Sequence, residues 1–237
     1  MNERTMKLTL RGLAALLSYP TAELQAHARE VREAMHGEGS LPPLTLRALE
    51  PLLGRVEAWD LLDLQCDYSE LFDRSRSLSL HLFEHVHGDS RERGQAMLDL
   101  IQQYVDAGFY LDTTELPDFV PVFLEFASSL EPAEAREMLA QPAHVFAALA
   151  ERLDKRETPY AGIFHALVAL AGGKLDDDAL AEVRQREPDE DPARIDEEWE
   201  EAPVTFNVAA AHEMGGPTGA VAKIRASNRP VSKEAGQ

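Results

Sequence analysis

The sequence carries one cysteine, Cys66, in 237 residues. An internal disulfide is therefore excluded, as is any zinc site built on several thiolates. Such thiol poverty fits a reducing compartment. Basic residues are scarce too: 23 Lys and Arg stand against 42 Asp and Glu, a formal net charge of −19. A nucleic-acid binder needs a basic footprint, and an anionic membrane surface repels a chain of this charge. No run of 18 apolar residues occurs, so no segment reads as a membrane span. The opening stretch MNERTMKLTLRGLAALLSYP places Lys7 and Arg11 among its apolar residues and offers no small-residue cleavage site. It does not read as a secretory signal. These absences point to a cytoplasmic, soluble protein. Its acidity attracts basic partners over roughly 8 Å at physiological salt.

What is present is helical spacing almost throughout. Met6, Leu10, Leu13 and Leu17 predict a first helix, ended by Tyr19-Pro20, and Thr21 is placed to cap a second that stops near His36-Gly37. Leu49, Leu52, Leu53 and Val56 predict a third. Leu61, Leu64, Tyr68, Leu71 and Phe72 predict a fourth. Further helices follow around Met97–Val105 and Phe119–Leu130, after Pro132, and from Thr158-Pro159 to Gly172-Gly173. Pro117 and Asp118 are expected to open the helix that carries Phe119. No strand alternation and no fixed repeat appear. The expected fold is all-α: a single globular helical bundle over residues 1–186, then an acidic and Gly/Pro-rich disordered tail over 187–237. Residues 174–201 hold 13 acidic and 4 basic side chains; helix propensity persists to about Arg186, and beyond it the segment is too charged and proline-broken to build a core. Trp199, Val204 and Phe206 are the apolar groups there able to dock on the domain or on a partner.

Motifs of catalysis are missing: no G-x-G-x-x-G, no Walker A loop and no G-x-S-x-G elbow occur. Cys66 has no basic neighbour in sequence and reads as a small core residue. HLFEHVHG, residues 81–88, is the strongest metal-like cluster, because His81 and His85 would share a helix face beside Glu84. A histidine-based, metal-dependent helical enzyme is thus one alternative, and a plain helical adaptor another. The expectation is no metal, no cofactor and no catalysis.

Two segments are distinctive in combination: YSELFDRSRSLSLHLFEHVHGDSRERGQAM, residues 68–97, and ELPDFVPVFLEF, residues 115–126. Together with LLSYP near the start and DEEWEEAPVTF at 196–206, they resemble the nitrate reductase molybdenum cofactor assembly chaperones. That is the delta-subunit or NarJ family, within the TorD/DmsD-type redox-enzyme maturation proteins. The resemblance implies an all-α chaperone that binds the N-terminal, leader-like segment of the catalytic (alpha) subunit of respiratory nitrate reductase. It further implies that the chaperone enables molybdenum cofactor insertion and leaves before the enzyme is complete. The family's Tyr-x-x-Leu-Phe pattern falls on Tyr68, Leu71 and Phe72. Its Glu-x-Pro-Asp-His pattern falls on Glu115, Pro117 and Asp118, with Phe119 where histidine is usual.

The residues agree on their own terms. Tyr68, Leu71 and Phe72 fall on one helical stripe, and Asp118 and Glu125 are seven apart on another. An apolar stripe flanked by acid suits a basic amphipathic peptide laid in a groove. The candidate peptide-binding set is Tyr68, Leu71, Phe72, Glu115, Pro117, Asp118, Pro121 and Glu125, with His85, His87 and Arg91 in the adjacent loop. The same spacings also describe core-facing stripes, a capping aspartate and loop-shaping prolines.

Overall fold

The computed structural model describes residues 5–88, 90–111, 115–172 and 175–185. The expected domain boundary at 186/187, the acidic tail, and Trp199, Val204 and Phe206 lie outside the described residues. Among those described, the chain forms eleven α-helices and one 3-10 turn. In order they are α1 (Lys7–Leu17), α2 (Ala22–Glu38), α3 (Pro43–Ala58), α4 (Leu61–Phe72), the turn Arg76–Leu78, α5 (Leu82–His87), α6 (Glu92–Asp106), α7 (Val120–Ala127), α8 (Pro132–Ala140), α9 (Ala143–Lys155), α10 (Ala161–Ala171) and α11 (Asp177–Gln185). None of them is long and apolar enough to cross a membrane.

The helix ends follow local chemistry. Thr21 caps α2 by accepting the Leu24 N–H at 3.1 Å. Gly39 then closes that helix at φ +63°, a left-handed turn that glycine adopts without penalty, two residues later than the sequence suggests. Pro43 opens α3 from inside its first turn, so the Pro42-Pro43 pair is a helix start as well as a loop end. Glu38, the last residue of α2, reaches back to α1, where its carboxylate accepts the Leu8 and Thr9 N–H groups at 2.9 and 2.7 Å. An acid at that end also complements the helix dipole.

The core is one continuous cluster. α10 is its centre: it packs on α9, α8 and α3, and Ile163, Phe164, Ala166 and Leu167 are fully buried. α1 lies against α2 and α7 through Leu10, Leu13 and Leu17, while α11 covers α9 through Leu180 and Val183. α6 is packed on one side only. Leu100 and Tyr104 are buried, whereas Leu98, Ile101 and Val105 face outward.

The approach of α10 to α3 depends on a glycine. A Cβ at Gly162 would lie 2.6 Å from the Ala48 carbonyl oxygen of α3, a contact with backbone that no rotamer change relieves. Gly162→Ala is expected to destabilise the fold by about 1–3 kcal/mol, read as a lower Tm in thermal unfolding. Gly54→Ala in α3, where an added Cβ meets nothing within 4 Å, should instead add up to about 1 kcal/mol in the same assay.

Candidate functional site

The two distinctive segments meet in space around a single carboxylate. Asp118 is 0 % exposed. Its side chain accepts the Phe83 N–H at 3.0 Å and the His81 Nδ1–H at 3.4 Å, and its carbonyl accepts the Leu82 N–H at 3.0 Å. Val120 N–H donates to the Leu80 carbonyl at 2.8 Å, which completes a short antiparallel bridge between His81 and Phe119. Asp118 therefore supplies from 35 residues away the cap that the start of α5 lacks locally, since His81 provides no side-chain cap. The turn that carries Asp118 is held from the other side, where the buried Tyr104 hydroxyl of α6 donates to the Pro117 carbonyl at 2.8 Å.

This corrects two readings. α7 begins at Val120, not at Pro117, and Pro121 occupies its first turn. His81 sits in extended backbone before α5, not on a helix face shared with His85. The metal-like cluster is consequently dispersed. His81 turns to Asp118, Glu84 pairs with Arg93 at 3.1 Å, and His85 turns inward. Among the described residues, no group of three or more such ligands converges.

His85 belongs to a second buried junction. Its Nε2–H donates to the Ser79 carbonyl at 2.8 Å, and Arg152 Nη1 lies 3.4 Å from its Nδ1. Arg152 projects from α9 and also donates to the Ser77 carbonyl at 2.8 Å and the Val183 carbonyl at 2.9 Å. One guanidinium thus ties the 75–79 turn and the end of α11 to α9. Arg152 carried no signal in the sequence, because nothing local distinguishes it from a surface arginine.

On α4, the Tyr68, Leu71 and Phe72 stripe faces inward. The Tyr68 hydroxyl donates to the Leu17 carbonyl at 2.8 Å, and its ring packs on Tyr19, Phe72 and Tyr160 at centroid separations of 5.6, 4.9 and 6.3 Å. Such ring pairs add about 0.5–1.5 kcal/mol each beyond their buried area. Burial pushes the Tyr68 phenol pKa well up, and the nearby Tyr160, Asp73 and Glu115 act in the same direction. Seven of the eleven candidate residues are therefore buried: Tyr68, Leu71, Phe72, His85, Pro117, Asp118 and Pro121. The other four reach solvent. Glu115, Glu125 and Arg91 are exposed, and His87 is half-buried against the Phe83 ring at 5.6 Å.

The opposite face of α4 is concave and acidic. One depression of about 240 Å³ is lined by Tyr19, Leu62, Cys66, Ser69, Glu70 and Arg74. An adjoining one of about 490 Å³ is lined by Trp59, Asp63, Cys66, Asp67 and Glu70. Cys66 is exposed here, not a core residue, because the core stripe of α4 passes through Leu64 and Tyr68 instead. Nothing in the sequence pattern marked this depression, because an exposed apolar residue is common on any helix.

Three comparisons bear on this arrangement. Residues 19–166 match the family model described as nitrate reductase delta subunit. The chain is similar to the nitrate reductase molybdenum cofactor assembly chaperone NarJ of Escherichia coli K12, with 44 % identity over 195 residues, 82 % of this chain and 83 % of that one. Its fold is similar to that of a redox enzyme maturation protein from Archaeoglobus fulgidus, with a TM-score of 0.53 and 22 % identity over 71 % of this chain and 94 % of that one.

The Asp118 and Arg152 junctions make two predictions. Asp118→Ala strands the partly buried Phe83 N–H and should cost about 1–3 kcal/mol in urea unfolding; Asp118→Asn, which keeps an acceptor, should cost less. The His81 imidazolium is favoured in the folded protein chiefly by its hydrogen bond to Asp118, so its pKa is raised. That stability is complete below the unfolded imidazole pKa and is lost as pH rises through the folded value. His85 runs the other way: burial lowers its pKa, so stability falls as pH drops below the unfolded value. His81→Gln should therefore destabilise more at about pH 5.5 than at about pH 8, and His85→Gln should show the reverse trend, by denaturant unfolding at each pH.

Proposed function

The chain belongs to the nitrate reductase delta subunit family, and from that membership we infer that it is an assembly chaperone acting by binding and not by catalysis. Its client is the catalytic subunit of molybdenum nitrate reductase. It captures that subunit's N-terminal, leader-like segment, delays premature assembly and keeps the subunit open to cofactor insertion. The molybdenum cofactor is cargo for the client and not a resident group of this chain. The cytoplasm, where the cofactor is inserted on this reading, is the site of action.

The observation that carries the reading is the joining of the two family-like segments. Residues 79–85 and 115–121 lie far apart in sequence, yet Asp118, Tyr104 and the Leu80–Val120 bridge knit them into one rigid frame. Glu115 stands at its edge, close enough to act on Tyr68. On this reading Tyr68, Leu71, Phe72, His85, Pro117, Asp118 and Pro121 shape the receiving surface from within. Glu115, Glu125, Arg91 and His87 stand where a peptide can meet them.

Magnitudes divide the labour. An exposed carboxylate–guanidinium pair contributes about 0–1 kcal/mol, whereas burying a leucine or phenylalanine side chain contributes about 1.5–3 kcal/mol. Apolar burial thus supplies the affinity, and the acidic surface selects basic partners and speeds encounter.

Deleting the gene should leave the reductase catalytic subunit deficient in molybdenum by elemental analysis. Normal loading in the deletion strain would instead favour the plain adaptor. Calorimetry of the full chain with a synthetic peptide of the catalytic subunit's N-terminal segment should show saturable one-to-one binding.

A further inference from the structure

The net charge of the chain is unevenly spread. Residues 1–58 hold 7 basic and 7 acidic side chains, and the whole −19 comes from the 16 basic and 35 acidic ones that follow. Helix α1 has no acidic residue, and α3 has none in its first turn. The two helices begin close together. The Glu38 carboxylate accepts the Leu8 and Thr9 N–H groups, and the Thr9 and Ser40 hydroxyls share a hydrogen bond at 2.7 Å. Leu44, in the first turn of α3, is four residues beyond Ser40, at most roughly 14 Å of chain.

Two exposed apolar side chains stand at this end. Leu44 is 77 % exposed, the most of any large apolar residue among those described, and Leu8 is 47 % exposed. Each shares a helix face with a cation, Leu8 with Arg11 and Leu44 with Arg47, and Lys7 lies one turn before Arg11. All three cations are exposed, and among the described residues no carboxylate pairs with any of them. The carboxylates of α3 and of the α2 end are engaged elsewhere. Glu38 is held by the α1 N–H groups, Glu50 by Arg32 and His36 at 3.1 and 2.9 Å, and Glu57 by Arg32. The outward stripe of α6 differs, because Leu98, Ile101 and Val105 are bordered by Asp99 and Asp106 and by no cation of their own face.

The geometry points to the starts of α1 and α3 as a peripheral docking surface for an anionic phospholipid membrane, with Leu8 and Leu44 entering the interface and Lys7, Arg11 and Arg47 meeting headgroup phosphates. The pattern separates a lipid surface from an acidic protein. Protein interfaces centre on aromatic groups in a charge-depleted patch. Neither α1 nor α3 holds an aromatic residue, and cations border the leucines directly. The repulsion expected from the net charge is an average over the molecule. Carboxylates farther than roughly 8 Å from the surface are screened at physiological salt, so the local patch decides. Each cation held at an anionic leaflet contributes about fivefold in partitioning. This surface serves attachment and stands apart from leader capture; neither depends on the other.

The test is co-sedimentation of the full chain with phosphatidylcholine vesicles, with and without phosphatidylglycerol. Binding is expected to need the anionic lipid and to fall as salt rises. Leu44→Glu, and separately the pair Lys7→Glu with Arg11→Glu, should each weaken it by about tenfold or more. Circular dichroism should stay unchanged, since all three side chains are exposed. Leu44→Glu and Lys7→Glu also place an acid in a first helical turn, which complements the dipole, so neither should lower the Tm. Lys155→Glu, at the end of α9, reverses a charge outside the patch and should alter binding less than about twofold. A loss with Lys155→Glu equal to that of the patch variants would mean that net charge alone acts, and the site is overturned. Equal binding to phosphatidylcholine alone, or binding to neither vesicle, overturns it as well. If the chain ignores vesicles while the patch variants lose the reductase catalytic subunit, the face belongs to a protein partner and the lipid assignment falls.

Discussion

A carboxylate without solvent is the constraint on which this region depends. Asp118 is buried completely, so its carboxylate must be met by donors, and those donors are the Phe83 N–H in the first turn of α5 and the ring of His81. Satisfying them fixes the 115–120 turn against the 79–83 segment. That in turn sets where α5 starts, where α7 starts and which way Phe119 and His81 lie, 5.4 Å ring to ring. A lysine at this position would have no solvent to reach, and it would disrupt the frame rather than recolour a surface. Arg152 has the matching role in the neighbouring layer, where a buried cation binds carbonyls of the 75–79 turn and of α11.

Helix α4 shows how one sequence motif serves two faces. The residues that carry the family pattern, Tyr68, Leu71 and Phe72, hold the helix to α1 and α10 through an aromatic cluster with Tyr160. Because the stripe of Leu64, Tyr68, Leu71 and Phe72 takes the inward side, Leu62, Asp63, Cys66 and Glu70 stand on the exposed side, with Asp67 half-buried beside them. Anchoring and presentation are thus coupled by the 3.6-residue period.

The acidity of the chain is distributed to similar effect. Many acidic groups are already engaged within the fold: Glu38 at the start of α1, Glu50 with Arg32 and His36, Glu151 with Arg184. Those exposed pairs add little stability individually.

The sequence by itself determined the helices. Apolar period, a threonine cap at Thr21, prolines at Pro43 and Pro132 and a left-handed close at Gly172 are local signals, and the structure follows them to within a few residues. It also displayed the two segments that mark the family. Only the tertiary structure decided which side of each stripe is wet. Asp118 and His85 look like surface groups in a line of text, because burial of a polar side chain depends on donors brought from 35 residues away or from another helix. Cys66 looks like core for the converse reason: a small apolar residue in a helix carries no mark of its facing. Secondary structure is written in neighbours along the chain. The site is written in neighbours across space, and only packing supplies those.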